Sequence, residues 1–227
     1  QDRLVAERQQ IIARLKAMRD GARVEVGEGR DRIIVPASAD DLGEIYAAEP
    51  QATIVSGSTD VGLWVTKFMR DIGPLIFIGG LDGLQGIAES DSQVTLGAGV
   101  SYSDAGPVLI RHHPYLAAFW NRIGGQQVRN MGTVGGNIAN GSPIGDSPPP
   151  LIALGAKITL RKGSERREVK LEDYFLAYGK QDRQPGEFVE SVTVPALPRG
   201  EQFAAYKISK RRDEEISAWC GAFRIFI

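Results

Sequence analysis

Residues 132–146 read GTVGGNIANGSPIGD, five glycines among small hydrogen-bonding side chains with no lysine or arginine. Such a segment binds with its backbone. Glycine lets main-chain N–H groups approach a ligand without an intervening β-carbon and permits positive φ. Consecutive N–H groups aimed into one hollow then hold an anion without a cationic side chain. The plainer alternative is a flexible loop, which Gly, Ser and Asn also favour.

A second stretch, ATIVSGSTDVG at 52–62, runs from apolar Ile54 and Val55 through Ser56, Gly57, Ser58 and Thr59 into an amphipathic segment. That order reads strand, turn, helix. The turn places its N–H groups at a helix start, where unpaired donors and the positive dipole end favour phosphate. At about 1.5–3 kcal/mol per charge-assisted bond, a few such amides suffice for a pyrophosphate. Lys67 and Arg70 fall near the far end, where cations suit the dipole. Gly57 and Gly62 have the spacing of a Walker A loop, but Leu63 and Trp64 follow in place of Lys and Ser or Thr. Gly97 and Gly99 begin a GxGxxG pattern that Tyr102 breaks. Two separated glycine-rich segments sharing one extended, phosphate-bearing ligand remain.

Together with QVRNMGTVGGNIANGSPIGDSPPPLIALGA at 127–156 and KISKRRDEEI at 207–216, this pair resembles the FAD-binding domain of the molybdenum hydroxylases. Within that family the chain is most similar to the xanthine dehydrogenases, in the bacterial arrangement that carries the domain on a small subunit. The similarity runs from about Ile33 to Ile227. It implies an α+β, two-subdomain FAD-binding fold of the vanillyl-alcohol-oxidase/PCMH type. An N-terminal helix and linker would occupy 1–30, one subdomain 31–82 and the other 83–227, with turn signals in GGLDGLQG at the boundary.

The resemblance also implies residue roles. Ile54 to Val61 match the pyrophosphate loop, so that the backbones of Val55, Ser56, Gly57, Ser58 and Thr59 face the diphosphate. Asp60 would turn from phosphate towards flavin or ribityl donors; its alternative is to stabilise a helix N-terminus. Thr133, Val134, Gly135, Gly136 and Asn137 match the second flavin loop, Asp146 accepts from a cofactor hydroxyl, and Asn140 and Ser142 are secondary contacts. Ile123 and Gly124 match positions beside the flavin ring; animal xanthine-oxidising members carry an aromatic where this chain has Ile123. Val189 supplies apolar packing and Lys207 a cation near the cofactor. Glu214 matches an acidic position near the ring, where like charge disfavours an anionic reduced flavin; its alternative is a solvated acidic run opposite Lys210, Arg211 and Arg212.

By the same resemblance, electrons reach FAD from two [2Fe-2S] clusters and leave as hydride to NAD. Hypoxanthine or xanthine is oxidised to urate at a molybdenum-pterin centre in another subunit. The alternatives are the flavin subunit of a carbon monoxide dehydrogenase, aldehyde or hydroxybenzoyl reductase type, or a non-catalytic interaction module whose glycines only turn the chain.

Composition fits a small-molecule or protein partner, and the resemblance implies a hetero-oligomer. The chain has 227 residues, room for one or two domains. With 27 basic and 28 acidic residues and a net charge of −1, it implies no general attraction to nucleic acid or a membrane surface. The single cysteine, Cys220, excludes an internal disulfide and suits a reducing cytoplasm; within AWCGAFRIFI it reads as a buried structural thiol. His112 and His113 are adjacent rather than spaced as metal ligands, so no metal site is expected on this chain.

The opening QDRLVAERQQIIARLKAMRD is too charged to read as a signal peptide and too short of apolar residues to read as a transmembrane span, and Leu4, Ile11, Leu15 and Met18 trace a helical stripe. This helix could belong to a connection from an iron-sulfur portion. The chain ends as though inside a strand, which reads as a piece of a longer protein. Strands are expected at 33–35, 53–55, 75–78, 94–97, 157–160, 166–169, 189–194 and 203–209, with 218–227 completing the sheet. Helices are expected at 39–48, 103–111, 115–123 and 151–154. Trp64, Trp120 and Trp219 read as core residues.

Overall fold

The structure, a computed structural model, describes residues 2–18, 20–212 and 215–227. Helix α1 (Asp2–Ala17) leaves Ile11, Leu15 and Met18 of its apolar stripe exposed. Beyond it, β1 (Val24–Val26), β2 (Ile33–Val35), β3 (Thr53–Val55) and β4 (Leu75–Phe77) form a sheet in the order β1-β2-β4-β3. β2, β4 and β3 run parallel and β1 antiparallel to β2. Parallel neighbours need crossover helices, supplied by α2 (Ala39–Ala48) and α3 (Val61–Thr66). α2 starts where the Ser38 hydroxyl accepts from the Asp41 amide at 3.1 Å. It buries Leu42, Ile45 and Tyr46 against Ile34, Ile76 and Ile78.

The second lobe is an antiparallel sheet in the order β5-β6-β11-β7-β8. Its strands are β5 (Ile87–Glu89), β6 (Gln93–Gly97), β7 (Lys157–Lys162), β8 (Glu165–Lys170) and β11 (Phe188–Pro195). Alternation puts Val94 and Leu96 of β6 and Ile158 and Leu160 of β7 into one core. Helices α4 (Tyr102–His112), α5 (Ala117–Trp120), α7 (Val134–Asn140) and α8 (Pro148–Ala153) contribute to the same core, while α6 (Gln126–Met131) has no fully buried residue. A bulge interrupts the β11–β7 register between Val189 and Ser191. Strict alternation would put Val189 and Val192 on opposite faces; the extra residue lets both join the larger core. Phe188 instead enters the first lobe's core.

Three expectations need correction. Residues 218–227 do not complete that sheet: β12 (Glu201–Ile208) and β13 (Trp219–Phe226) pair as a separate two-stranded sheet. Its inner face carries Phe203, Ala205 and Ala222, which pack against the larger core, and the hairpin lies against α8. The helix expected over 115–123 is a 3₁₀ turn (Pro114–Leu116) followed by α5, because Arg122 and Ile123 revert to i−3 bonds to Phe119 and Trp120. The loop expected over 132–146 is half helix. Thr133 caps α7 by accepting from the Gly136 amide at 3.1 Å, and Gly141, with φ of 60°, ends it in the left-handed region.

Of the tryptophans, Trp120 is buried, Trp64 half-buried and Trp219 exposed. A short hairpin of β9 (Phe175–Ala177) and β10 (Lys180–Gln181) follows α9 (Leu171–Tyr174). Among the described residues no helix is long and apolar enough to cross a membrane.

Candidate flavin-binding site

The first glycine turn lies just beyond the carboxyl end of β3, where ligands of parallel sheets commonly bind. Among the described residues, the amides of Ser56, Gly57, Ser58, Thr59 and Asp60 donate to no protein acceptor; the next amides, of Gly62 and Leu63, bond to Ser58 and Asp60 carbonyls at 2.9 and 2.8 Å. Ser58 has φ of 59°, a left-handed residue within the run. Such a residue curls successive N–H groups towards a shared concavity that suits an anion. α3 spans only six residues, so the turn's own amides, more than the helix dipole, make this a donor site for an anion. A diphosphate fits that donor set.

The second glycine segment has a different part. Val134 donates to Val100 O at 3.0 Å, Gly135 to Ala98 O at 3.2 Å, Gly136 to Thr133 Oγ1, and Asn137 to Thr133 O at 3.0 Å. The first two of these amides hold the start of α7 on residues 98–100, and the other two close its N-terminus onto Thr133. A β-carbon on Gly135 would stand 2.4 Å from Ala98 Cα, so this glycine permits helix and strand end to touch. Gly57 likewise serves close approach within the protein: a β-carbon there would stand 1.6 Å from Met131 O. The structure thus brings the two glycine segments into direct contact, with the open amides on the first and a rigid platform beneath on the second.

The polar side chains are already partnered. Asp60 stands at the N-cap of α3 without a capping bond and accepts from the Trp64 indole at 2.9 Å. Asp146 Oδ2 accepts from Lys207 Nζ and Oδ1 from Ser217 Oγ, both at 2.5 Å. The Lys207 side chain is only 2% exposed, so it acts on Asp146 inside the protein. Ser147 Oγ donates to Asn137 Oδ1 at 2.6 Å and lies 3.0 Å from the Tyr102 hydroxyl. Burial pushes the Tyr102 pKa up, which keeps this phenol neutral. The exposed Asn140 offers its carbonyl to Gln181 Nε2, and the Ser142 carbonyl accepts from the Gly145 amide.

Ile123 and Val189 are buried in the larger core. Gly124, with φ of 56°, and Ile123 direct their carbonyls to Arg129 Nη1 at 2.6 and 3.3 Å. Glu214 lies outside the described residues. Sequence reasoning missed Arg122, Arg129, Ser147 and Ser217. Arg122 reaches the Lys207 carbonyl across 85 residues, a separation at which local pattern carries no signal. Cys220 is half-buried, and burial together with the Asp146 carboxylate pushes its thiol pKa up to about 11. No cluster of His, Cys, Asp and Glu able to hold a metal occurs among the described residues.

The α+β fold, with an amide-rich turn beyond a parallel strand and braced by a second glycine segment, is the fold of PCMH-type FAD-binding domains, as a family model and solved structures show. A family model described as the FAD binding domain in molybdopterin dehydrogenase matches residues 27–197, and the chain belongs to that family. FAD is accordingly its cofactor, and the interaction-module alternative falls away. The chain is 30% identical to a nicotinate hydroxylase of Emericella nidulans over 222 residues, covering 88% of this chain and 16% of the relative. It is 28% identical to a xanthine dehydrogenase of the same organism, with the same coverage. The chain therefore spans about a sixth of the length of these relatives. Among solved structures, a carbon monoxide dehydrogenase from Hydrogenophaga pseudoflava aligns with a TM-score of 0.75 at 27% identity, covering 84% of this chain and 68% of that one.

Proposed function

We propose that this chain is the flavin domain of a xanthine dehydrogenase that uses NAD, working in the cytoplasm within a hetero-oligomer that also holds iron-sulfur and molybdenum-pterin parts. The observation that carries it is the run of unpartnered amides from Ser56 to Asp60, which grips the diphosphate of FAD while Gly57 seats the turn on Met131. The cofactor supplies the redox chemistry, taking electrons from iron-sulfur clusters and returning them as hydride to NAD. The protein's part is to bind, orient and exclude water. Asp146, held by Lys207 and Ser217, closes the far end of the second segment; it takes a cofactor hydroxyl through whatever lone pairs those two donors leave. Glu214 sets the charge near the ring. The purine is oxidised in another subunit, and this chain holds no purine site of its own.

Likeness to xanthine dehydrogenases at 28–30% identity supports the purine assignment. A second reading, a flavin subunit of the carbon monoxide dehydrogenase type, is supported by the structural likeness to that enzyme. Reconstitution with excess FAD should leave flavin absorbance on the protein after gel filtration; a colourless protein would overturn the binding turn. Anaerobic mixing of the flavin-loaded complex with NADH should bleach the flavin rapidly. Failure to react would remove NAD and leave the second reading.

A further inference from the structure

The chain of residues 209–212 and 215–217 lies outside the β12–β13 pairing and must be held by something else. Among the described residues, two side chains tie it to the rest of the molecule. Ser217 donates to Asp146. At the other end the half-buried Arg122 spreads its guanidinium over three acceptors: Nη1 donates to Lys207 O at 2.6 Å, Nη2 to Ser209 Oγ at 2.8 Å and Nε to Arg212 O at 3.3 Å. Lys207 is thus gripped twice, its carbonyl by Arg122 and its ammonium by Asp146. Asp146 in turn closes the glycine segment that supports the open turn.

We propose that Arg122 is a positioning residue of the flavin site: it fixes the main chain at the end of β12 and so sets where the Lys207 ammonium meets Asp146. A planar fork fixes the directions of its N–H groups and spreads them over acceptors on three residues, whereas a lysine offers a compact point charge. Arg122 itself follows Trp120 and precedes the buried Ile123, so its stem is carried by the larger core while its head reaches the hairpin. The inference rests on the flavin reading of the site.

Two measurements on the full chain test it. Hydrogen exchange at the amides of 205–212 should be about tenfold faster in Arg122→Gln, as for one lost charge-assisted hydrogen bond to a part-buried carbonyl. FAD should bind this variant about tenfold more weakly and with a shifted absorbance maximum, because Asp146 is no longer held in place. Arg122→Lys, which keeps the charge and the stem, should show both effects, and it serves if the glutamine variant does not fold. Unchanged exchange would overturn the clamp, and faster exchange with unchanged FAD affinity and spectrum would overturn its positioning role. A wild-type chain that binds no FAD would instead overturn the flavin reading, while the exchange result still decides whether Arg122 holds the segment.

Discussion

The α-carbon of Gly57 rests against the carbonyl oxygen of Met131, so closely that a β-carbon would stand 1.6 Å from that oxygen. The obstacle is backbone, which cannot swing away as a side chain can. Gly57→Ala should therefore separate the two glycine segments, at the cost of about 1–3 kcal/mol expected for overpacking. In a domain of this size each kcal/mol lowers Tm by about 2–4 °C. Calorimetry checks the shift, and FAD titration should show affinity lost with it. A variant with wild-type Tm and affinity would sink the contact as an organising feature.

Thr133 is the cap on which α7 starts, through its bond to the Gly136 amide. Thr133→Ala should cost about 0.5–2 kcal/mol, the ordinary value of an N-cap. Thr133→Ser should keep most of it. Chemical denaturation of the two variants gives the comparison directly.

Glu187 receives Arg167 on both carboxylate oxygens at 2.7 Å and the Gln184 amide at 2.7 Å. The Arg167 guanidinium holds the Glu187 pKa below the ordinary value, against the opposing effect of burial. A depressed folded pKa gives stability that is whole above the unfolded value of about 4.3 and is lost as pH falls through the folded one. Arg167→Met should therefore flatten the fall of stability with pH on the acid side below about 4.3. Urea midpoints measured from pH 6 downwards would show an unchanged slope if the pair did not matter.

Cys220, with its thiol pushed up to about 11, should be almost wholly protonated at neutral pH. Since the thiolate is the reacting form, alkylation of the native chain should remain slow at pH 8 and keep accelerating towards pH 11. A rate that levels off near pH 9 would contradict the burial that raises this pKa.

Asp60→Ala removes the acceptor of the Trp64 indole. Trp64 emission should change in this variant, with a stability loss of about 0.5–1.5 kcal/mol, the net value of one hydrogen bond. Emission indistinguishable from wild type would show that the two side chains do not meet in solution.

Local pattern carried much of the fold. Ser38 with its following acidic turn marked α2, whose bounds at Ala39–Ala48 agree with expectation, because capping and 3.6-residue periodicity are properties of neighbours in sequence. The strand-turn-helix order at Ile54 to Val61 is equally legible and leads to a run of open amides. Residues 132–146 read as a loop in sequence because glycines weaken a helix locally, yet α7 forms because Thr133 caps it and because Gly135 lets it lie against Ala98. The stripe on α1 was seen, but no signal in it told that Ile11 and Leu15 stay exposed.

Sequence by itself determined that the chain carries two glycine-rich segments, a strand-turn-helix beyond Val55, and the resemblance that makes FAD its ligand. Tertiary structure decided what each glycine does. Gly57 meets Met131, Gly135 meets Ala98, and the bulge beside Val189 turns that side chain into the larger core while Phe188 joins the other. It also decided that Asp146 and Lys207, separated by 61 residues, satisfy each other. The reason is one of range: periodicity, caps and turns depend on adjacent residues, whereas close backbone approach and buried charge pairing depend on which distant segments the packed core brings together.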